Sequence, residues 1–540
     1  MTASSLIVVD GAGGEIGVVC MAAKRIFARP ASGLVRSVSA WDALIYNVVF
    51  MAPTAVFAYG FFAMSLFPGV DLPTTALISI PFAIVVGLFY ALYSASMPRS
   101  GGDYIWVSRV LHPVLGFMNN VVLFLILLSI AGAYMPWFTQ WGMAPLLESF
   151  GQGGLAAVIS SNEFTFVWAV IYWLICAAII SRGAKATHYA FWVFFALILI
   201  GVGAFVGALL TITPSQFAAN FSAMSGMNYN QAIQTAENAG MPSGFLLSAT
   251  LLGVAFTYLN FIGFNASVYY AGEIKEVRRS QFVSIIGSIL VFGFITWLLY
   301  EATYVGMGSQ FVAAMSYLAA TGNSYYSLSA PPLLHILFEY GTNNHTAFTL
   351  AAFGFSMMTL SSSLTYIFIS VRFIFAWSFD RVVPTSLTKI DRKHNSPYLA
   401  LLAVTVIAIV LEALWSFTPL LGYFAYAVFG YMIMQAIVSI SGIVFPWKRK
   451  DIFDVSPSVT KYKLGPVPAI SILGFLTLLI SIWLGYASIS PSMVGVLDPS
   501  IVAFTLGLFG IGIVVYTISS MYHRSKGIPL ELSFKELPPE

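Results

Sequence analysis

Twelve apolar stretches, each long enough to cross a bilayer, restrict the fold of this chain more than any other feature. A hydrocarbon core of about 30 Å takes roughly 20 helical residues at about 1.5 Å each. Runs of that kind lie at approximately 43–66, 74–97, 112–135, 164–181, 188–211, 246–271, 282–306, 346–371, 398–416, 419–445, 467–489 and 500–522. Charged residues make up 8% of the 540, against about 25% in ordinary soluble domains. Such a surface belongs in lipid, and the expected class is an all-α integral membrane protein whose first partner is the bilayer.

The basic residues test the count independently, because Lys and Arg stay on the cytoplasmic side and cost about 2.5–3.5 kcal/mol each at a helix centre. All 24 fall at the two ends of the chain or in alternate connections: from Lys24, Arg25, Arg29 and Arg36 before span 1 to Arg524, Lys526 and Lys535 after span 12. The opposite connections carry only acids, namely Asp71, Glu148, Glu163, Glu237, Glu339 and Asp498. An even number of spans with both termini in the cytoplasm follows, and the expected location is the cell membrane. A net charge of +3 gives no footing for a nucleic-acid partner. Cys20 precedes the first span and Cys176 lies inside an apolar run, so no structural disulfide is expected. Residues 1–23 are mildly apolar and precede their basic residues, the reverse of a secretory signal peptide. The connections 212–245 and 307–345 are long and polar enough to hold short surface helices.

Several patterns carry little. Gly11, Gly13, Gly14 and Gly17 have a dinucleotide-like spacing, but a membrane span follows where a βαβ unit would have to be. His335, Glu339 and His345 are scattered along a loop-like stretch without ligand spacing and read as surface polar residues, so no metal is expected. Neither a G-x-S-x-G elbow nor an H-E-x-x-H helix occurs, which argues against an enzyme, and no nucleotide-binding motif suggests a pump or cofactor. Within spans the only acids are Glu301 and Glu412, near helix ends, where snorkelling to the interface is the first reading and a gating or proton-linked role the second. With no charge near the midplane, a zwitterion or neutral solute held by helix ends is favoured over a strongly ionic substrate.

Two spans carry breakers at their centres. In span 1, Pro53 cannot donate to the Val49 carbonyl, and its position predicts a new half-helix whose first N–H groups, at Thr54, Ala55 and Val56, would suit a carboxylate. Met51, Ala52, Pro53, Thr54 and Ala55 are therefore candidate substrate-binding residues. In span 6, Gly263 stands between two Phe and two Asn, and unwinding there would offer carbonyls to an ammonium group, with Asn265 capping the next half. Tyr258, Asn260, Phe261, Gly263, Phe264 and Asn265 complete the candidate set. Interruptions five spans apart point to an inverted-repeat transporter with its site near the midplane.

Three further stretches carry a resemblance. Pro98-Arg99-Ser100-Gly101-Gly102-Asp103-Tyr104 through Phe117, Gly263-Phe264-Asn265 through Glu273-Ile274-Lys275 to Ser280, and Arg372 through Asp380-Arg381 to Pro384 with Asn395-Ser396-Pro397 are similar to loops of the amino acid–polyamine–organocation superfamily, the amino acid permeases. The matches span helices 1–10 in order. The resemblance implies a five-plus-five inverted-repeat, LeuT-like fold with broken helices 1 and 6 and alternating access. The corresponding segments are an N-terminal segment 1–40, repeat one at 41–211, an outer loop 212–245, repeat two at 246–445, a cytoplasmic loop 446–466, two appended spans at 467–523 and a tail 524–540. It further implies secondary transport of an amino acid or related amine, with a polyamine or other organic-cation carrier, a channel or a non-transporting sensor as alternatives. The family's glycine-rich break is replaced here by Met51-Ala52-Pro53-Thr54, and Asn265 stands where an acid is common.

Sodium-coupled relatives of the fold pair a span 8 hydroxyl with span 1 carbonyls, which makes Val48, Ser361 and Ser362 a candidate cation site; ordinary helix packing explains the serines equally well. Sodium and protons both remain open as coupling ions. Arg99, Asp103, Arg372, Asp380 and Arg381 are candidate inner-gate residues, with Arg99 and Arg381 expected to pair with Asp103 and Asp380.

Overall fold

A computed structural model of the chain describes residues 35–391, 393–418, 427–490, 499–527 and 530–537. The glycines of 11–17, Cys20, Lys24, Arg25, Arg29, Arg392, Asp498 and the expected start of span 10 at 419 lie outside the described residues. Among the described residues, twelve helices are long and apolar enough to cross a membrane: Ala40–Leu66, Leu72–Ser96, Pro113–Ser149, Asn162–Ser181, Ala184–Thr211, Leu247–Glu273, Val277–Met307, His345–Phe379, Tyr398–Phe417, Val428–Lys448, Ala469–Ser488 and Pro499–Ser525. They are spans 1 to 12 below. The protein is a multi-pass, mainly helical membrane protein.

Local chemistry sets the ends. Ser39 and Asp42 form a capping box at the start of span 1, Asp71 accepts the Thr74 N–H at the start of span 2, and Ser161 does the same for Phe164 at span 4; each satisfies donors that a first turn leaves open. The long connection after span 5 contains helices Pro214–Ser225 and Tyr229–Asn238, and the one after span 7 contains Ser309–Ala320 and Leu334–Thr342. Residues Lys463–Leu464 and Val467–Pro468 pair as a short antiparallel hairpin between spans 10 and 11.

Burial ranks the helices. Span 8 is enclosed along its whole apolar window, whereas spans 4, 5 and 12 are buried over only a third of theirs. Span 8 packs against spans 1, 3, 5 and 9, so any site between these helices lies at the centre of the bundle, and the exposed faces of the outer spans are left for lipid. At the end bearing the basic connections, Val38 N–H donates to the Glu273 carbonyl (3.0 Å) and Lys275 N–H to the Val38 carbonyl (2.9 Å), clamping the entry of span 1 to the exit of span 6.

Candidate functional site

Span 1 is helical over Ala40–Phe50 and again over Val56–Leu66, with a 3₁₀ turn Pro53–Ala55 between. Ala52 joins the pieces with φ +57° and ψ +73°, a left-handed conformation that costs a non-glycine residue roughly 1–2 kcal/mol. Span 6 is helical over Leu247–Phe261 and continues as a 3₁₀ segment Ala266–Glu273 after Gly263 at φ +120°. A Cβ at Gly263 would stand 2.0 Å from Phe50 Cδ1, so glycine is the residue that fits against span 1 there.

Two helices satisfy what these turns release. Asn47, one turn before the break in span 1, donates through Nδ2 to the Phe264 carbonyl (2.7 Å) and accepts the Ser267 N–H (2.9 Å). Asn265 occupies the N-cap position of the 3₁₀ segment, but its side chain makes no cap bond; Asn47 supplies that acceptor from the neighbouring helix. The Val49 carbonyl accepts from Ser362 Oγ (2.9 Å), and the Phe50 carbonyl accepts from the Tyr366 hydroxyl (3.3 Å). Of the N–H groups expected to await a carboxylate, that of Ala55 donates to the Ala52 carbonyl (3.0 Å) and that of Val56 to Thr54, since the tight turn closes on itself. Thr54 Oγ1 reaches the Gly354 carbonyl of span 8 at 3.3 Å.

Between the breaks lies a cavity of about 30 Å³, room for roughly two waters. A larger solute enters only if the lining helices part. Spans 1 and 6 contribute Phe50, Met51, Tyr59, Leu259, Asn260 and Ile262; span 3 adds Leu123, Ile126, Leu127, Ile130 and Tyr134; Tyr366 and Tyr431 close it. Asn260 Nδ2 is buried with no hydrogen-bond partner among the described residues. Of the sequence candidates, Met51 and Asn260 line the cavity. Ala52, Pro53, Ala55, Gly263, Phe264 and Asn265 form the turns behind it, and Tyr258 and Phe261 are buried beside it. Asn47, Tyr134, Tyr366 and the span 3 stripe were missed. The stripe's spacing of three and four residues is visible in the sequence, but every membrane helix offers such stripes.

At the candidate cation site Val48 is buried, the Ser362 hydroxyl is spent on the Val49 carbonyl and that of Ser361 on Met358 (2.9 Å) in its own helix.

At the basic end the acids have partners beyond the arginines expected beside them. Arg109 grips Asp380 with two bonds of 2.7 and 2.8 Å, and the Tyr104 hydroxyl donates to the same carboxylate at 2.8 Å. Arg372 grips Glu273 at 2.8 and 3.1 Å. Asp103 accepts instead from the Tyr269 hydroxyl (2.8 Å) and Asn120 Nδ2 (3.3 Å). The reason is geometric: helix Asp103–Val110 is buried along its length and carries Arg109 inward, whereas Arg99 precedes it, half-buried, and donates to the Pro98 carbonyl. Burial pushes the Asp103 carboxyl up to about 7, against the lowering effect of its bonds to Tyr269 and Asn120. Phe534 of the tail turn Leu530–Phe534 lies over the Arg109 guanidinium at 5.0 Å.

Two other expectations change. His335 is buried, not a surface residue: its Nε2 bonds the Trp141 carbonyl (2.8 Å), its ring stacks on Phe355, and burial pushes it down to about 4. Glu412 does not snorkel; it faces the interior and is fully buried.

A family model described as amino acid permease matches residues 43–528. The chain belongs to the amino acid permease family. It is 24% identical over 456 residues to the branched-chain amino acid permease BcaP of Lactococcus lactis subsp. cremoris, covering 82% of this chain and 88% of that protein. It is also 25% identical over 389 residues to Uncharacterized protein 399 of Sulfolobus islandicus rod-shaped virus 1, covering 72% and 75%. Membership of this family places the chain among transporters, and its substrate class is the small-molecule amino acids.

Proposed function

We propose that this permease carries a neutral amino acid with an apolar side chain across the cell membrane by alternating access, on a five-plus-five inverted repeat whose broken helices are spans 1 and 6. The observation that carries the reading is one buried polar atom without a partner, Asn260 Nδ2, set in a cavity walled by Leu123, Ile126, Leu127 and Ile130. An unmet donor in a pocket lined mainly by aliphatic and aromatic side chains suits a ligand with a polar head and an apolar body. No Asp, Glu, Lys or Arg is among the residues lining the cavity, so a polyamine or a charged amino acid would be buried there without a counter-ion. The relative named as a branched-chain amino acid permease agrees with this choice. Both termini are assigned to the cytoplasm by the distribution of basic residues.

The test is uptake of labelled leucine, lysine, glutamate and putrescine into proteoliposomes, with unlabelled competitors. The expected result is that leucine, isoleucine and valine compete with one another and lysine does not. Accumulation of putrescine in preference to leucine would replace this reading with a polyamine carrier, and binding without movement would replace it with a sensor.

A further inference from the structure

Among the described residues, Glu412 is the one buried carboxyl that lies away from both the cavity lining and the basic end. Glu412 sits on span 9, five residues before its final residue Phe417, with no exposed surface. Its Oε1 accepts from Ser416 Oγ at 3.3 Å. Its Oε2 has no hydrogen-bond partner among the described residues. The wall opposite is Gly132 of span 3, where a Cβ would stand 3.0 Å from Oε2; the missing side chain is what makes room for the acid.

Span 9 packs against spans 3, 4 and 8 and the 3₁₀ turn Thr385–Thr388. Span 3 brings Tyr134, on its cavity face. Span 4 brings Cys176 and Tyr172, whose hydroxyl is bonded to the Leu360 carbonyl; its charges, Glu163 and Arg182, stand at its two ends. Span 8 has His345 at its first residue and Arg372 near its last, the latter paired with Glu273. The turn Thr385–Thr388 has no charged residue. Among the described residues, a carboxylate in this position would have one hydroxyl for company and no cation. Ionised groups so placed cost several kcal/mol, while the neutral acid costs far less.

We propose that Glu412 is a proton-binding site inside the membrane, separate from the substrate cavity, and that its proton is the ion moved with the substrate. The proposal rests on the transporter reading above. Loading joins a proton from water to the carboxylate and gives the neutral acid; release returns it to water, and no other bond is made or broken. Release requires water at Oε2, and so requires span 9 to part from Gly132. That movement reaches the cavity through span 3. Ile130 and Tyr134 lie two residues either side of Gly132, about 200° around the helix, and line the cavity. Ser363 of span 8 donates to the intervening Ala131 carbonyl at 3.3 Å. Ser416 lies one turn nearer the end of span 9, and Glu412 itself stands about 7.5 Å of helix from the last residue, Phe417.

Two measurements on the full chain decide it. Infrared difference spectra of wild type minus Glu412→Gln, in nanodiscs and without substrate, isolate this one carboxyl. The expected result is a protonated-acid carbonyl band at neutral pH that disappears in alkali. Its absence, with the ionised carboxylate band in its place, overturns the proton site. In proteoliposomes loaded with labelled leucine, Glu412→Gln is expected to lose accumulation driven by a proton gradient, down to the level of empty vesicles, while leucine counterflow persists. Gradient-driven accumulation equal to wild type overturns the coupling role and leaves the amino acid carrier intact. If wild type moves leucine in neither format, the functional reading fails and the coupling role with it, whereas the infrared band still decides the proton site. Glu412→Leu, apolar and of similar bulk, gives the same losses where the glutamine variant fails to assemble.

Discussion

The middle of the bundle and its basic end solve the same problem with different chemistry. Both must hold polar groups out of water between the same helices. Around the cavity this is done with neutral dipoles: Asn47 spans the turn in span 6, and Ser362 and Tyr366 take up the carbonyls that Pro53 releases. At the basic end it is done with full charges, in the buried pairs Arg109–Asp380 and Arg372–Glu273. The contrast teaches that the cavity is built without fixed charge in its lining, whereas the end that joins spans 1, 6 and 8 is held by buried ion pairs.

If charge holds the basic end, removing one partner should have the largest effect. Asp380→Asn leaves Arg109 buried and uncompensated, a loss of about 3–5 kcal/mol; a thermal melt should show it, and in surviving protein leucine turnover should fall while KM holds. Unchanged turnover here and in an Arg372 variant would end the gate assignment. If shape governs the middle, Gly263→Ala comes next. Its Cβ collides with Phe50 at a positive φ, a combined strain and overpacking of roughly 2–5 kcal/mol, and proteoliposome uptake should drop with it. Asn47→Ala strands a buried carbonyl and a buried N–H, at about 1–3 kcal/mol each; Asn47→Asp, which keeps the acceptor for Ser267, should lie between the two in melting temperature.

The pH response separates the regions further. With its carboxyl pushed up to about 7, Asp103 binds a proton more readily folded than unfolded. Its contribution is complete below the unfolded value of about 4, is lost as pH rises through about 7, and is flat above. Melting temperature should therefore decline over that window, and Asp103→Asn should remove that part of the decline; an identical slope in the variant would count against a buried acid there. The smallest effect belongs to Ala52→Gly, which relieves the left-handed strain but loosens the unfolded chain, for a net gain of a few tenths of a kcal/mol.

Proline and glycine were legible because each acts through its own backbone. Pro53 removes a donor and Gly263 permits a left-handed φ wherever the rest of the chain lies. Partnerships were less legible. Arg99 and Arg381 read as gate residues by proximity in sequence to acids, yet it is Arg109, six residues beyond Asp103, that turns inward to meet Asp380 across 271 positions. Asn47 gave no local signal because the groups it satisfies belong to span 6, 217 and 220 residues away. Glu412 read as a snorkelling residue from its place near a helix end; which way it faces depends on span 3, where Gly132 leaves space.

By itself the sequence determined which stretches are long and apolar enough to cross a membrane, where the basic connections fall and where spans 1 and 6 are interrupted. Those are properties of transfer from water to lipid and of single backbones, which act residue by residue along the chain. Only the tertiary structure decided which carbonyl meets Ser362, which arginine meets Asp380 and which wall meets Glu412. Contacts between helices far apart in sequence depend on how each helix is rotated, and that rotation is fixed by packing all of the helices together.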